Sequence, residues 1–114
     1  MWTQAGGDEM RLSNLERRAL SHAMHDLAYR VEIFGSRIDD AARGGDIDLI
    51  VFAPDLAAED RLRLSLRVAV AFRSICDEKI DVHVIDPYDL TATERAFLAV
   101  IRSEPLHLGR LVGA

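Results

Sequence analysis

The chain alternates between two hydrophobic periods, and those periods predict its elements. Leu15, Ala19, Leu20, Ala23, Met24 and Leu27 recur at helical spacing, after Ser13 and Glu16 in the spacing of a capping box. A helix is therefore expected over residues 13–27. From Tyr29 to Phe34, Val31 and Ile33 alternate with Arg30 and Glu32, a strand pattern that ends at Gly35-Ser36. A short helical turn over 37–42, broken by Gly44-Gly45, is expected next. Asp46 to Phe52 predicts a second strand, with Ile47, Leu49 and Val51 on one face and Asp46, Asp48 and Ile50 on the other. Pro54 ends it.

Residues 56–76 carry two patterns at once. Leu62, Leu64, Leu66, Val68, Val70 and Phe72 alternate with polar or small residues, which by itself suits a strand. Thirteen residues is long for a strand, and Leu, Ala and Arg favour helix. Asp55 offers an N-cap, and Glu59 and Asp60 fall where the helix dipole favours acids. Helix is the reading adopted. The arginines of 61–73 then form a solvated face, with a partner-binding face as the alternative. Lys79 to Ile85 predicts a third strand, with Ile80, Val82 and Val84 opposite Asp81 and His83. Thr91 to Arg102 predicts a helix capped by Thr91 and Glu94. Residues 103–114 read as a polar break and a short apolar tail. The order helix–strand–turn–strand–helix–strand–helix describes one α+β (two-layer α/β) domain over 13–114, after a flexible tail over 1–12.

Composition narrows the function classes. The 114 residues carry a net charge of -5, which disfavours general nucleic-acid binding. One cysteine, Cys76, excludes an internal disulfide and suits a reducing, cytoplasmic setting; it is expected as a small buried residue at a helix end. Neither a signal peptide nor a membrane span is expected, since no apolar run approaches the necessary length.

The chemistry concentrates in Phe34-Gly35-Ser36-Arg37 and, after six residues, Gly44-Gly45-Asp46-Ile47-Asp48-Leu49. A glycine at a strand end lets a ligand approach the backbone, and a helical turn begun at Ser36 presents free N–H groups to an anion. Asp46 and Asp48, two apart on a strand, leave the same face, where they repel unless a cation lies between them. Carboxylate oxygens select Mg2+ or Mn2+. Asp81 lies on the next strand, on the same face as His83. An anion cradle beside three carboxylates is the equipment of nucleotidyl transfer. The plainer readings are a turn at Gly35-Ser36, solvent-facing aspartates, and a partly exposed strand histidine at 83.

This set of residues resembles the minimal nucleotidyltransferases of the DNA polymerase beta-type superfamily, over roughly residues 13–102. The resemblance implies a nucleotidyltransferase fold, with helices packed on a mixed sheet. It implies that Gly35 and Ser36 hold the β- and γ-phosphates of ATP, with Arg37 and Arg43 as phosphate-binding candidates. It implies that Asp46 and Asp48 bind two divalent metals, and that Asp81 completes the metal site and serves as base. Small members pair with a helical protein, of the HEPN type or a substrate-binding type. Some are antitoxins that adenylylate a HEPN ribonuclease toxin. The chain departs from the commonest pattern in reading Ile38-Asp39-Asp40 where Ala-Arg-Gly is usual, Gly45 where Ser is frequent, and a slightly shorter spacer.

Two function classes follow. The first is a Mg2+-dependent adenylyltransferase acting on a partner protein. The second is a nucleotidyltransferase-fold binding module that acts by complexing a helical partner. A transferase for a small molecule ranks below both. Leu106, Leu108, Leu111 and Val112 suit either a partner or homo-oligomer contact or a tail packed on its own core.

Overall fold

A computed structural model describes residues 12–35 and 46–107. Residues 1–11 of the tail expected over 1–12, the turn over 37–42 and the apolar residues 108, 111 and 112 lie outside the described residues. Three helices and four strands occur in the order α1 (Asn14–Met24), β1 (Arg30–Phe34), β2 (Ile47–Phe52), α2 (Ala58–Arg73), β3 (Ile80–Ile85), α3 (Ala92–Val100) and β4 (Ser103–Pro105). The mixed sheet runs β3-β2-β1-β4. β1 pairs antiparallel with β2 and β4, and β2 pairs parallel with β3 through the α2 crossover.

Both capping boxes form. Ser13 Oγ accepts from the Glu16 N–H at 3.1 Å, and Glu16 Oε1 accepts from the Ser13 N–H at 2.8 Å. Thr91 and Glu94 repeat the exchange at 3.0 and 2.9 Å. The first box shifts the face of α1: Glu16 is buried while Leu15, expected on the apolar face, is 42% exposed. Asp55 corrects another expectation. The N-cap of α2 is Ala57, which makes no side-chain cap bond. Asp55 instead turns the chain at φ 67, with its N–H donated to Asp86 Oδ2 at 3.2 Å.

Each strand divides its residues between two faces. Val31, Ile33, Ile47, Leu49, Val51 and Ile80 meet Leu20 and Ala23 of α1 and Leu64, Val68 and Phe72 of α2 in the main core. Buried Cys76 closes it beyond the end of α2. Phe72 is fully buried, and truncating it to alanine would cost roughly 3–5 kcal/mol. Thus α2 is a helix whose apolar alternation splits: Leu64, Val68 and Phe72 go inward, and Leu62, Leu66 and Val70 stay in solvent. Arg67 joins α2 to the end of α1 by pairing with Asp26 at 3.3 Å.

The opposite face is half covered. Phe34, Ile50, Phe52 and Ile85 form a second cluster beneath Leu90, Phe97, Leu98 and Ile101. Asp81, on this face at the start of β3, remains exposed. β4 was not expected from the sequence. It pairs Ser103 with Phe34 and Pro105 with Glu32, and the Ser103 hydroxyl donates to Glu32. Leu106 follows it into the core, its N–H donating to Val31 O at 2.9 Å.

Candidate active site

The parallel register of β2 and β3 sets Asp48 directly beside Asp81 and Ile50 beside His83. Asp46 precedes β2 by one residue, so the alternation places it on the same face. The three acids expected to act together therefore share one open end of one sheet face. They are few-residue neighbours of Gly35, because Phe34 is the antiparallel partner of Asp48.

Gly35 is required twice over. Its φ of +86 lies where side chains are disfavoured, and an added Cβ would fall 2.8 Å from Asp48 Oδ2. The Asp48 carboxylate thus occupies the space that the missing side chain leaves. Ser36, Arg37 and Arg43, together with Asp39 and Asp40, lie outside the described residues.

The electrostatics of the acids are unequal. Asp48 is half-buried, and its carboxyl is held above the ordinary carboxylate range. Burial is the larger cause; the charges of Asp81 and then Asp46 add to it, and His83 and Lys79 partly offset it. Lys79 Nζ lies 3.6 Å from Asp46 Oδ2, with the lysine exposed and the aspartate half-buried. Sequence reading missed this cation. The register Ile47–Ile80, extended by one residue, would have placed Lys79 opposite Asp46.

His83 is an exposed residue of β3 whose ring packs 5.7 Å from Phe34 and 5.9 Å from Phe97. Those two phenylalanines meet edge-on at 5.3 Å. The histidine marks where the acidic half of the face gives way to the apolar half. Beyond it, a groove of about 460 Å³ runs between α2 and α3, bordered by Ile50, Leu62, Val84, Phe97 and Leu98.

Among the described residues, no three His, Cys, Asp or Glu side chains converge closely enough to hold a metal ion as they stand. The donor chemistry still fits a hard divalent cation. Asp48 and Asp81 present carboxylates from adjacent strands, and a cation between them would offset their mutual repulsion, the lesser cause of the raised Asp48 pKa after burial. Among the described residues Asp46 is held by one ion pair, of a kind worth about 0–1 kcal/mol, so its reorientation is inexpensive.

Comparison of the chain with family models and with curated proteins finds no match. Among the described residues no helix is long and apolar enough to cross a membrane.

Proposed function

We propose that this chain is a nucleotidyltransferase domain that transfers AMP from ATP to a hydroxyl of a partner protein, with Mg2+ or Mn2+. The observation that carries the reading is the placement of Asp48 beside Asp81 in register, with the Asp48 carboxylate seated over Gly35. The element order and mixed sheet are compatible with the minimal nucleotidyltransferase fold that the sequence resembles.

In this reading Asp46, Asp48 and Asp81 hold the divalent metal. A divalent cation held by these residues would supply neutralisation of the triphosphate charge. Gly35 and Ser36, with Arg37 and Arg43, hold the phosphates. Asp81, the most open of the acids on the strands, takes the proton of the acceptor hydroxyl. The acceptor oxygen bonds to the α-phosphorus, the bond to the bridging oxygen breaks, and pyrophosphate leaves. The partner is a helical protein of the HEPN type, which makes the chain the antitoxin of a toxin–antitoxin pair, or else a substrate-binding subunit. The setting is cytoplasmic.

The test incubates the chain and candidate helical partners with ATP labelled on the α-phosphate and Mg2+. Label and the mass of one AMP should appear on the partner and disappear with Asp46→Asn or Asp48→Asn. A stable complex with no transfer under any divalent metal would overturn the enzyme.

The pairing of Lys79 with Asp46 favours a second reading, a binding module in which the lysine takes the place of a metal. The same Asp48→Asn variant separates the two. A module inhibits its partner unchanged; an enzyme loses inhibition.

A further inference from the structure

Helix α2 carries an exposed apolar stripe outside the core, whose first member, Leu62, also borders the groove toward α3. Leu62, Leu66 and Val70 are 60%, 57% and 69% exposed, although Leu64, Val68 and Phe72 of the same helix are buried. At 3.6 residues per turn, Glu59, Leu62, Leu66, Val70 and Arg73 fall within an arc of about 80°, nearly opposite the core-facing side. The stripe is therefore acidic at its first turn, apolar in the middle and basic at its last.

That order is complementary to itself. If two copies of α2 lie antiparallel about a two-fold axis at Leu66, Leu66 meets Leu66, Leu62 meets Val70, and Glu59 of each copy meets Arg73 of the other. A parallel pairing would instead set Glu59 against Glu59 and Arg73 against Arg73. The arginines on the flank of the stripe do not oppose the antiparallel arrangement. Arg63 is neutralised by Glu59 at 3.0 Å and Asp60 at 3.6 Å, and Arg67 by Asp26. Among the described residues Glu59 pairs with Arg63 of its own helix and Arg73 with Asp77 just beyond it, both in exposed ion pairs, so they can also reach across.

We propose that the chain self-associates as a two-fold dimer through an antiparallel α2–α2 contact centred on Leu66. A single pair of helices is at the small end of specific interfaces, so a dissociation constant on the order of 100 µM is expected. The proposal is independent of nucleotidyl transfer.

Sedimentation equilibrium of the full chain tests it, up to about 1 mM, ten times that constant. The wild type should show a monomer–dimer equilibrium. Leu66→Asp and Val70→Asp should each weaken it at least about a hundredfold, with unchanged circular dichroism, because both positions are exposed in the monomer. Glu59→Arg and Arg73→Glu should each weaken association, and the double variant should restore it. A wild type that stays monomeric overturns the proposal. So does a dimer that survives Leu66→Asp, or a double variant no better than the singles. Loss of capture of a different protein by Leu66→Asp, with no wild-type dimer, would overturn it in favour of a heterologous partner.

Discussion

The carboxylate of Asp48 lies against the backbone of Gly35, so that a β-carbon on Gly35 would sit 2.8 Å from Asp48 Oδ2. The two residues are 13 apart in sequence but one strand apart in space. Each constrains the other: the glycine makes room for the acid, and any other residue at 35 would strain the backbone and displace the acid.

Gly35→Ala should therefore destabilise the fold by roughly 2–4 kcal/mol, from the left-handed backbone and from the clash. Urea unfolding measures it. Adding Asp48→Ala should recover the part due to the clash and leave the backbone part, about 1–2 kcal/mol, in place. Equal losses in the single and double variants would mean that the contact carries no strain.

Asp48→Asn should stabilise the protein at neutral pH. The folded-state pKa of Asp48 is raised, first by burial and then by Asp81 and Asp46. Below the ordinary value of 3.8 both states hold the proton and no penalty exists. As pH rises through the folded-state value, the native state must ionise a disfavoured group, and stability is lost. The gain in Tm of the variant should thus be largest at neutral pH and vanish toward pH 3. A constant difference across that range would exclude the titration of Asp48 as its source.

Lys79→Met should change stability by no more than about 0.5 kcal/mol, since its ion pair with Asp46 is exposed. It should tighten Mg2+ binding, by removing a competing charge and releasing the Asp46 carboxylate. Isothermal titration calorimetry at low ionic strength checks both the sign and the site, with Asp46→Asn/Lys79→Met as reference. Weaker binding in Lys79→Met would show that the lysine supports the ligand instead of competing with it.

Asp55 and Ser13 should respond in opposite ways. Ser13→Ala removes a side-chain cap and should cost about 1 kcal/mol. Asp55→Gly should gain about 0.5–1 kcal/mol, because a glycine adopts φ 67 without strain and keeps its N–H on Asp86. A loss at Asp55 would mean that its side chain has a role the geometry does not give it.

Much of this architecture is local and was legible without coordinates. Ser13–Glu16 and Thr91–Glu94 satisfy the first N–H groups of their helices from within four residues, so a sequence window contains the whole interaction. The period-two patterns around Val31, Leu49 and Val82 assigned each strand face correctly, because side chains alternate whatever the partner strand is. The same pattern brought Asp46, Asp48 and Asp81 to one face.

Tertiary structure decided the rest. The alternation of Leu62 to Phe72 contains two stripes, and only the sheet beneath α2 chose Leu64, Val68 and Phe72 for the core. β4 is three residues with no period of its own, held by pairing with β1. Asp55 has the chemistry of a cap, but its place in the turn before α2 left that role unused. The placement of Asp48 beside Asp81, and of Lys79 against Asp46, depends on a parallel register set by a crossover helix. Sequence by itself determined which face each of β1, β2 and β3 would bury, because side chains on a strand alternate whatever lies beside it. Structure determined which charges would meet, because that depends on how separate segments are aligned.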